Sequence, residues 1–407
     1  MRHSIAVMTI LVSAVCLLGA CDDDDDTNGS SNISSNGSVE ADAEVDNGSS
    51  NNSVDAGVEE DTDITNTNPE DADTVAEDAE DQGDDAEAQN DDASDNSNGA
   101  TDTGTEAIGT SSVLCGLQET GEQRLVYDNV DPRRGTVTPV DETFTYAFAW
   151  NCDDENRNLT GNGVPDHDVT GGEFATRVSV QNVSVSFTLA PEVNDEVTSV
   201  RLPGYALNSV KFDPATAGTC PDNATSDADC NYAMGSDMWS MVATPGNTSP
   251  WRFDFGVDAN DAHVQPSGAY HYHGNPVGLV EKLNPDAENS MTLVGWASDG
   301  FPIYALVGYS DPQDTSSEVV RMTSSYQVID VDAVPQNRPS LDDFPLGHFV
   351  SDWVFVEGSG TLDVCNGRVA VTPEFPQGIY HYTLTDTYPF VHRCVRGTPG
   401  EGTTGRP

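Results

Sequence analysis

The chain has 407 residues, 69 of them Asp or Glu and only 16 Lys or Arg, for a formal net charge of −53 at pH 7. So anionic a surface repels phosphate backbones, which excludes nucleic acid as a partner; it disfavours anionic substrates and attracts cations. The charge is unevenly spread. Between Asp22 and Thr110 lie 29 acidic residues and no Lys or Arg, while the chain from Ser111 onward carries a net −25.

Residues 1–20 read as an export signal. Arg2 gives a short positive region, and Ile5 to Leu18 form an apolar run too short for a stable membrane span. The run ends in Leu18-Gly19-Ala20-Cys21, which resembles the bacterial lipobox, so Cys21 is the expected lipidation site and mature N-terminus. An ordinary cleaved signal followed by a chance Cys is the competing reading. More than one acyl chain on Cys21 would hold the protein stably on a membrane of the bacterial cell envelope. Asp22 resembles an inner-membrane retention signal of some Gram-negative bacteria, a rule that does not transfer between phyla, so the leaflet stays open.

Residues 21–110 are built from Asp, Asn, Ser, Gly, Thr, Ala and Glu, with scattered Val and Ile and no aromatic. Such a segment buries too little apolar surface to offset its ordering entropy and is expected to be a disordered, self-repelling linker. As a flexible coil it would span about 50 Å before charge swelling. Calcium binding by its Asp runs is the weaker reading, because none has the Gly-containing spacing of a calcium loop.

With Cys16 removed and Cys21 lipidated, six cysteines remain: Cys115, Cys152, Cys220, Cys230, Cys365 and Cys394. An even set in an exported domain implies three disulfides, with about fifteen connectivities open to six cysteines. Proximity in sequence favours Cys220–Cys230 and Cys365–Cys394, leaving Cys115–Cys152. A zinc site built on cysteine is the rival, but no pair has the two-residue spacing such sites favour.

The body reads as β. Phe144, Tyr146, Phe148 and Trp150 alternate with small or polar residues, as do Val183, Val185, Phe187 and Leu189, which predicts half-buried strands. Shorter runs at Trp353–Val356 and Ile379–Leu384 sit between Gly, Pro, Asn and Asp clusters, and no amphipathic helix exceeds two turns. The expected fold is one mainly β, disulfide-stapled, loop-rich domain. A pseudo-repeat of two halves is suggested by Pro266-Ser267-Gly268-Ala269-Tyr270-His271-Tyr272-His273 and Pro376-Gln377-Gly378-Ile379-Tyr380-His381-Tyr382-Thr383, identical at five of eight positions. The two copies are expected to face each other, chance similarity of short aromatic strands being the alternative.

Histidine placement carries the chemistry. His271 and His273 are two apart, so on a strand both rings leave the same face while Tyr270 and Tyr272 leave the other. Such a pair offers a metal two nitrogen ligands. His263 lies eight residues upstream across a turn at Pro266-Ser267-Gly268, and His167 and His381 are more distant candidates. Asp299 could add a carboxylate ligand or orient a ligating His. Imidazole donors suit Zn or Cu first, then Fe or Ni. The competing reading makes these rings hydrogen-bonded members of a compact core. Asp299-Gly300-Phe301-Pro302-Ile303-Tyr304 likewise reads as a turn and packing segment in which only Asp299 carries useful chemistry. No nucleophile elbow, His-Glu-x-x-His helix or phosphate-binding Gly loop is present.

Tyr270-His271-Tyr272-His273-Gly274-Asn275-Pro276, followed by Val294-Gly295-Trp296-Ala297-Ser298-Asp299-Gly300-Phe301-Pro302-Ile303-Tyr304, strongly resembles the YHYH family of exported proteins. Further ordered segments are similar: Asn162-Gly163-Val164-Pro165-Asp166-His167, Asp258-Ala259-Asn260-Asp261-Ala262-His263, Asp363-Val364-Cys365-Asn366-Gly367-Arg368, Val371-Thr372-Pro373-Glu374-Phe375-Pro376 and Tyr388-Pro389-Phe390. The resemblance adds weight to His167, His263, His271 and His273 but implies no reaction, since the family is named for its motif. It places a YHYH-type domain at 111–398, with a disordered tail at 399–407. Two functions remain in view: a lipid-anchored envelope protein binding a transition metal, or a non-catalytic adhesion module whose exposed aromatics contact a glycan or other ligand.

Overall fold

The computed structural model describes residues 113–131, 134–216, 218–230, 239–243 and 255–404. The expected export signal, the expected lipidation site Cys21 and the acidic segment lie outside the described residues. Two sheets dominate. The first has the strand order β4-β1-β2-β3-β5, built from β1 (Leu117–Asp131), β2 (Thr136–Cys152), β3 (Asn156–Gly161), β4 (Glu173–Phe174) and β5 (Val183–Thr188). The predicted alternations fall on β2 and β5, where Phe148, Trp150, Val183 and Phe187 are buried.

The second sheet has eight strands in the order β11-β12-β8-β7-β13-β14-β20-β19. They are β7 (Gly204–Ala206), β8 (Lys211–Phe212), β11 (Ala262–Val264), β12 (Tyr270–Tyr272), β13 (Leu293–Ala297), β14 (Pro302–Tyr304), β19 (Gly367–Ala370) and β20 (Ile379–Thr383). The remaining strands form two-stranded ribbons: β6 (Thr198–Ser199) with β21 (Cys394–Val395), β9 (Thr219–Cys220) with β10 (Trp239–Ser240), β15 (Val307–Tyr309) with β16 (Val319–Arg321), and β17 (Tyr326–Val328) with β18 (Trp353–Phe355). A seven-residue helix, α1 (Val277–Leu283), follows the Tyr-His-Tyr-His segment. The mainly β expectation holds.

The five-stranded sheet packs over the centre of the larger one. Trp150 Nε1 donates to Leu207 O at 2.8 Å, Phe187 lies 6.5 Å from Tyr205, and the buried Arg157 guanidinium sits 3.6 Å above the Trp296 ring. Disulfides join Cys115–Cys152, Cys220–Cys230 and Cys365–Cys394. Residues 400–404, expected in a disordered tail, are instead bonded to the fold. Gly400 N donates to Ser298 O at 2.8 Å, Arg201 N donates to Thr403 O at 3.0 Å, and Thr404 bridges Val200.

The eight-stranded sheet is built twice about its central pair. β7 and β13 run antiparallel with Gly295 opposite Ala206, Trp296 opposite Tyr205 and Ala297 opposite Gly204. Each continues through the same turn: Ala206 N donates to Val210 O and Ala297 N to Phe301 O, both at 2.8 Å. The turns use positive φ at Ser209 (67°) and Gly300 (91°). Outward from there, β8 pairs β12 in parallel and β14 pairs β20 in parallel; β11 and β19 then close the two ends antiparallel. The two Tyr-His-Tyr copies therefore do not face each other. They occupy second-from-edge positions at opposite ends with four strands between them, so about 24 Å separates them at the usual strand spacing. A pairing of this kind is set by long-range register, which two short strands cannot encode between themselves.

Candidate metal centre

The loop before β11 is shaped by Asp258. Its Oδ1 accepts from Asn260 N at 2.8 Å and Ala262 N at 3.2 Å, and its Oδ2 accepts from Tyr270 OH at 2.5 Å. Burial lifts this carboxyl to about 6 despite those bonds. Gln265 N to Ala269 O (3.1 Å) and Gly268 N to Gln265 O (2.8 Å) then close the predicted turn. The β11–β12 hairpin sets His263 directly opposite His271, with His273 one step along the same face. A hairpin across a short local turn has its register fixed by that turn, which is why this part of the site was readable.

The three rings converge. Centroids of His263, His271 and His273 are 4.6–4.7 Å apart, and ligand-capable atoms of all three lie within 4.8 Å of one another. Nε2 of His273 is 3.0 Å from Nε2 of His263. Nδ1 of His263 donates to Phe255 O at 2.7 Å and Nδ1 of His271 to Ala269 O at 3.2 Å. Each of these bonds commits Nδ1 to the proton and leaves Nε2 with its lone pair, the form in which imidazole ligates a metal. Burial depresses the pKa of all three, and His271 is pushed down further by the charges of His273, His263 and Lys211. Crowded, neutral, lone-pair-bearing nitrogens fit a borderline cation. His263, His271 and His273 together form a group that could hold a metal ion.

His167 is not part of that group. It lies on the tyrosine face of β12, where its Nε2 bonds Tyr272 OH at 2.6 Å and its Nδ1 bonds Asp168 O at 2.9 Å. Tyr272 OH also accepts from Asn208 Nδ2 at 2.8 Å. The compact-core reading therefore describes His167, and its expected role as a ligand is corrected. Asp299 is likewise elsewhere. Fully buried in the other half of the sheet, it accepts from Tyr382 OH at 2.6 Å and from Gly397 N at 2.8 Å. It neither ligates nor orients the triad. His381 occupies the position on β20 that His271 occupies on β12.

Sequence reasoning missed Lys211 and Asp213. Lys211 is the register partner of His271 across the parallel β8–β12 pair, and its ammonium bonds Asp213 Oδ2 at 2.7 Å. No local pattern marks them, because a parallel pair joins segments separated by a long connection. Asp258 was also missed as a shaping residue, although its Asp-x-Asn spacing is a turn signal. Among the described residues the exposed large hydrophobic side chains are Val and Leu, with no Trp, Tyr or Phe.

The sequence matches the family described as YHYH protein over residues 184–397. That span includes β7 through β20 and all three clustered histidines; the Asn162–His167 segment precedes it. No curated protein and no solved structure matches the chain. With more than half its length matched, the chain belongs to the YHYH family.

Proposed function

We propose that this YHYH protein is an exported lipoprotein that binds one transition-metal ion, Zn or Cu first, through His263, His271 and His273. The convergence of His263, His271 and His273, two of which keep an Nε2 lone pair because Nδ1 is bonded to a backbone carbonyl, carries the reading. In this proposal lipid on Cys21 holds the protein on the cell envelope, and the acidic linker sets the domain away from the membrane. The net −25 of the body raises the local cation concentration around the site.

Elemental analysis of the exported chain after exhaustive dialysis tests it. One equivalent of Zn or Cu is expected in the wild type and none in the H271A/H273A double variant. Wild-type protein without stoichiometric metal, or a double variant that keeps it, would sink the proposal. Palmitate labelling of wild type against Cys21→Ser tests the anchor separately.

A further inference from the structure

The second half of the large sheet repeats the scaffold of the metal centre with different side chains. Asp363 stands where Asp258 stands: its Oδ1 accepts from Cys365 N at 2.9 Å and Gly367 N at 3.0 Å, and its Oδ2 from Tyr380 OH at 3.0 Å. Asp258 N donates to Ala262 O and Asp363 N to Gly367 O, both at 2.8 Å. Asp261 and Asn366 take the same left-handed φ, 53° and 59°. Arg368 is opposite His381 as His263 is opposite His271, and Thr383 follows His381 as His273 follows His271. At the three ligand positions the second half therefore carries Arg368, His381 and Thr383.

All three leave a polar atom unanswered. Arg368 Nε, His381 Nε2 and Thr383 Oγ1 are buried with no hydrogen-bond partner among the described residues. His381 and Thr383 are 0% and 1% exposed. Buried polar groups left unpaired are destabilising, which points to a ligand. Its character follows from the donor inventory. Arg368 Nε is a cationic donor; Nη2 of the same guanidinium donates to Tyr309 O at 2.8 Å, no carboxylate pairs with it among the described residues, and burial lowers its pKa. A metal ion is thereby disfavoured and an anion favoured. His381 Nδ1 donates to Ile379 O at 3.2 Å, so its Nε2 is an acceptor. Thr383 can serve as either.

We infer that Arg368, His381 and Thr383 form a second site that binds a small oxyanion bearing a hydroxyl, of the hydrogencarbonate or dihydrogen phosphate class. An ionised oxygen meets Arg368 Nε, and the O–H donates to His381 Nε2. A plain carboxylate or sulfate satisfies the first and not the second. The inference rests on the repeated scaffold and the unanswered atoms, and it stands whether or not the histidine triad holds a metal.

The test uses the exported chain with the H271A/H273A background, so that a metal cannot capture the anion. Titration calorimetry with inorganic phosphate and with hydrogencarbonate is compared with acetate and sulfate at matched ionic strength. Saturable one-to-one uptake of phosphate or hydrogencarbonate is expected, at least tenfold tighter than acetate or sulfate. Arg368→Gln should abolish it, and the near-isosteric Thr383→Val should weaken it several-fold if the arginine variant does not fold. Absence of saturable uptake, equal uptake in Thr383→Val, or equal affinity for acetate would overturn the inference. So would a second equivalent of metal in wild-type protein that is lost in His381→Ala.

Discussion

The two ends of the eight-stranded sheet share what shapes the backbone and differ in what points away from it. Each has an Asp that closes the loop before its edge strand, a Tyr hydroxyl on that Asp, and a Tyr-His-Tyr strand paired in parallel with its inner neighbour. Each has an imidazole stacked on the second tyrosine: His167 at 5.8 Å from Tyr272 and His392 at 4.0 Å from Tyr382. Yet one end gathers three imidazoles and the other Arg, His and Thr. The comparison teaches that the tyrosine face and the Asp loops hold the geometry. The opposite face is then free to change its chemistry without changing the fold.

Removing ligands breaks the comparison most sharply. His271→Ala should weaken metal affinity by more than the roughly 10–100-fold that follows loss of an outer-sphere partner. His381→Ala, its counterpart, should leave metal affinity unchanged, as measured by competition with a chromogenic chelator. Removal of metal by chelator should also lower the thermal midpoint of the wild type. The loss corresponds to about 2.7 kcal/mol when free metal had stood at 100 times Kd. The H271A/H273A variant should not respond.

Gly204 and Gly295 test the central pair. A Cβ at either would run into the carbonyl oxygen of the facing strand, Trp296 O for Gly204 and Tyr205 O for Gly295. Gly204→Ala and Gly295→Ala should each cost about 1–3 kcal/mol in chemical denaturation. A large cost for one and none for the other would show that the halves are not equivalent.

The tyrosines sharpen the contrast. Tyr382 OH donates to the buried Asp299 carboxyl, whereas Tyr272 OH meets Asn208 and His167. Tyr382→Phe should therefore cost about 1.5–3 kcal/mol, the range for bonds to charged groups, and Tyr272→Phe about 1 kcal/mol.

The remaining test is a pH slope. Burial holds His392 down to about 3, against about 6.5 in an unfolded chain. Between those values the unfolded state binds a proton that the folded state refuses. His392 thus contributes nothing unfavourable above about pH 6.5, and stability falls as pH drops from about 6.5 towards 3. His392→Phe keeps a ring on Tyr382 and should flatten that fall by up to about 1.4 kcal/mol per pH unit. An unchanged slope in acid denaturation would show that His392 titrates normally in the fold.

Much of the fold and part of the site were legible in the sequence. The alternations of β2 and β5 were readable because a strand's period of two is local. His271 and His273 share a face for the same reason, and the turn at Pro266-Ser267-Gly268 brings His263 to them. His167 and Asp299 were misplaced because they belong to loops whose destination depends on the whole sheet. The short match between the two Tyr-His-Tyr segments correctly signalled a repeat. It set Thr383 against His273 but could not reveal that Arg368 stands for His263, since the loop from Ala370 to Ile379 is longer than the loop from Val264 to Tyr270.

The sequence by itself determined a strongly anionic chain, a β-rich body, an even set of six cysteines in that body and a same-face histidine pair. All of these follow from composition, spacing and period, which act over a few residues. Only the tertiary structure decided that three histidines and not four converge, that Lys211 stands beside them, and that a second polar triad occupies the far end of the sheet. Those outcomes depend on the parallel pairings β8–β12 and β14–β20, whose register is set by packing between segments far apart in the chain.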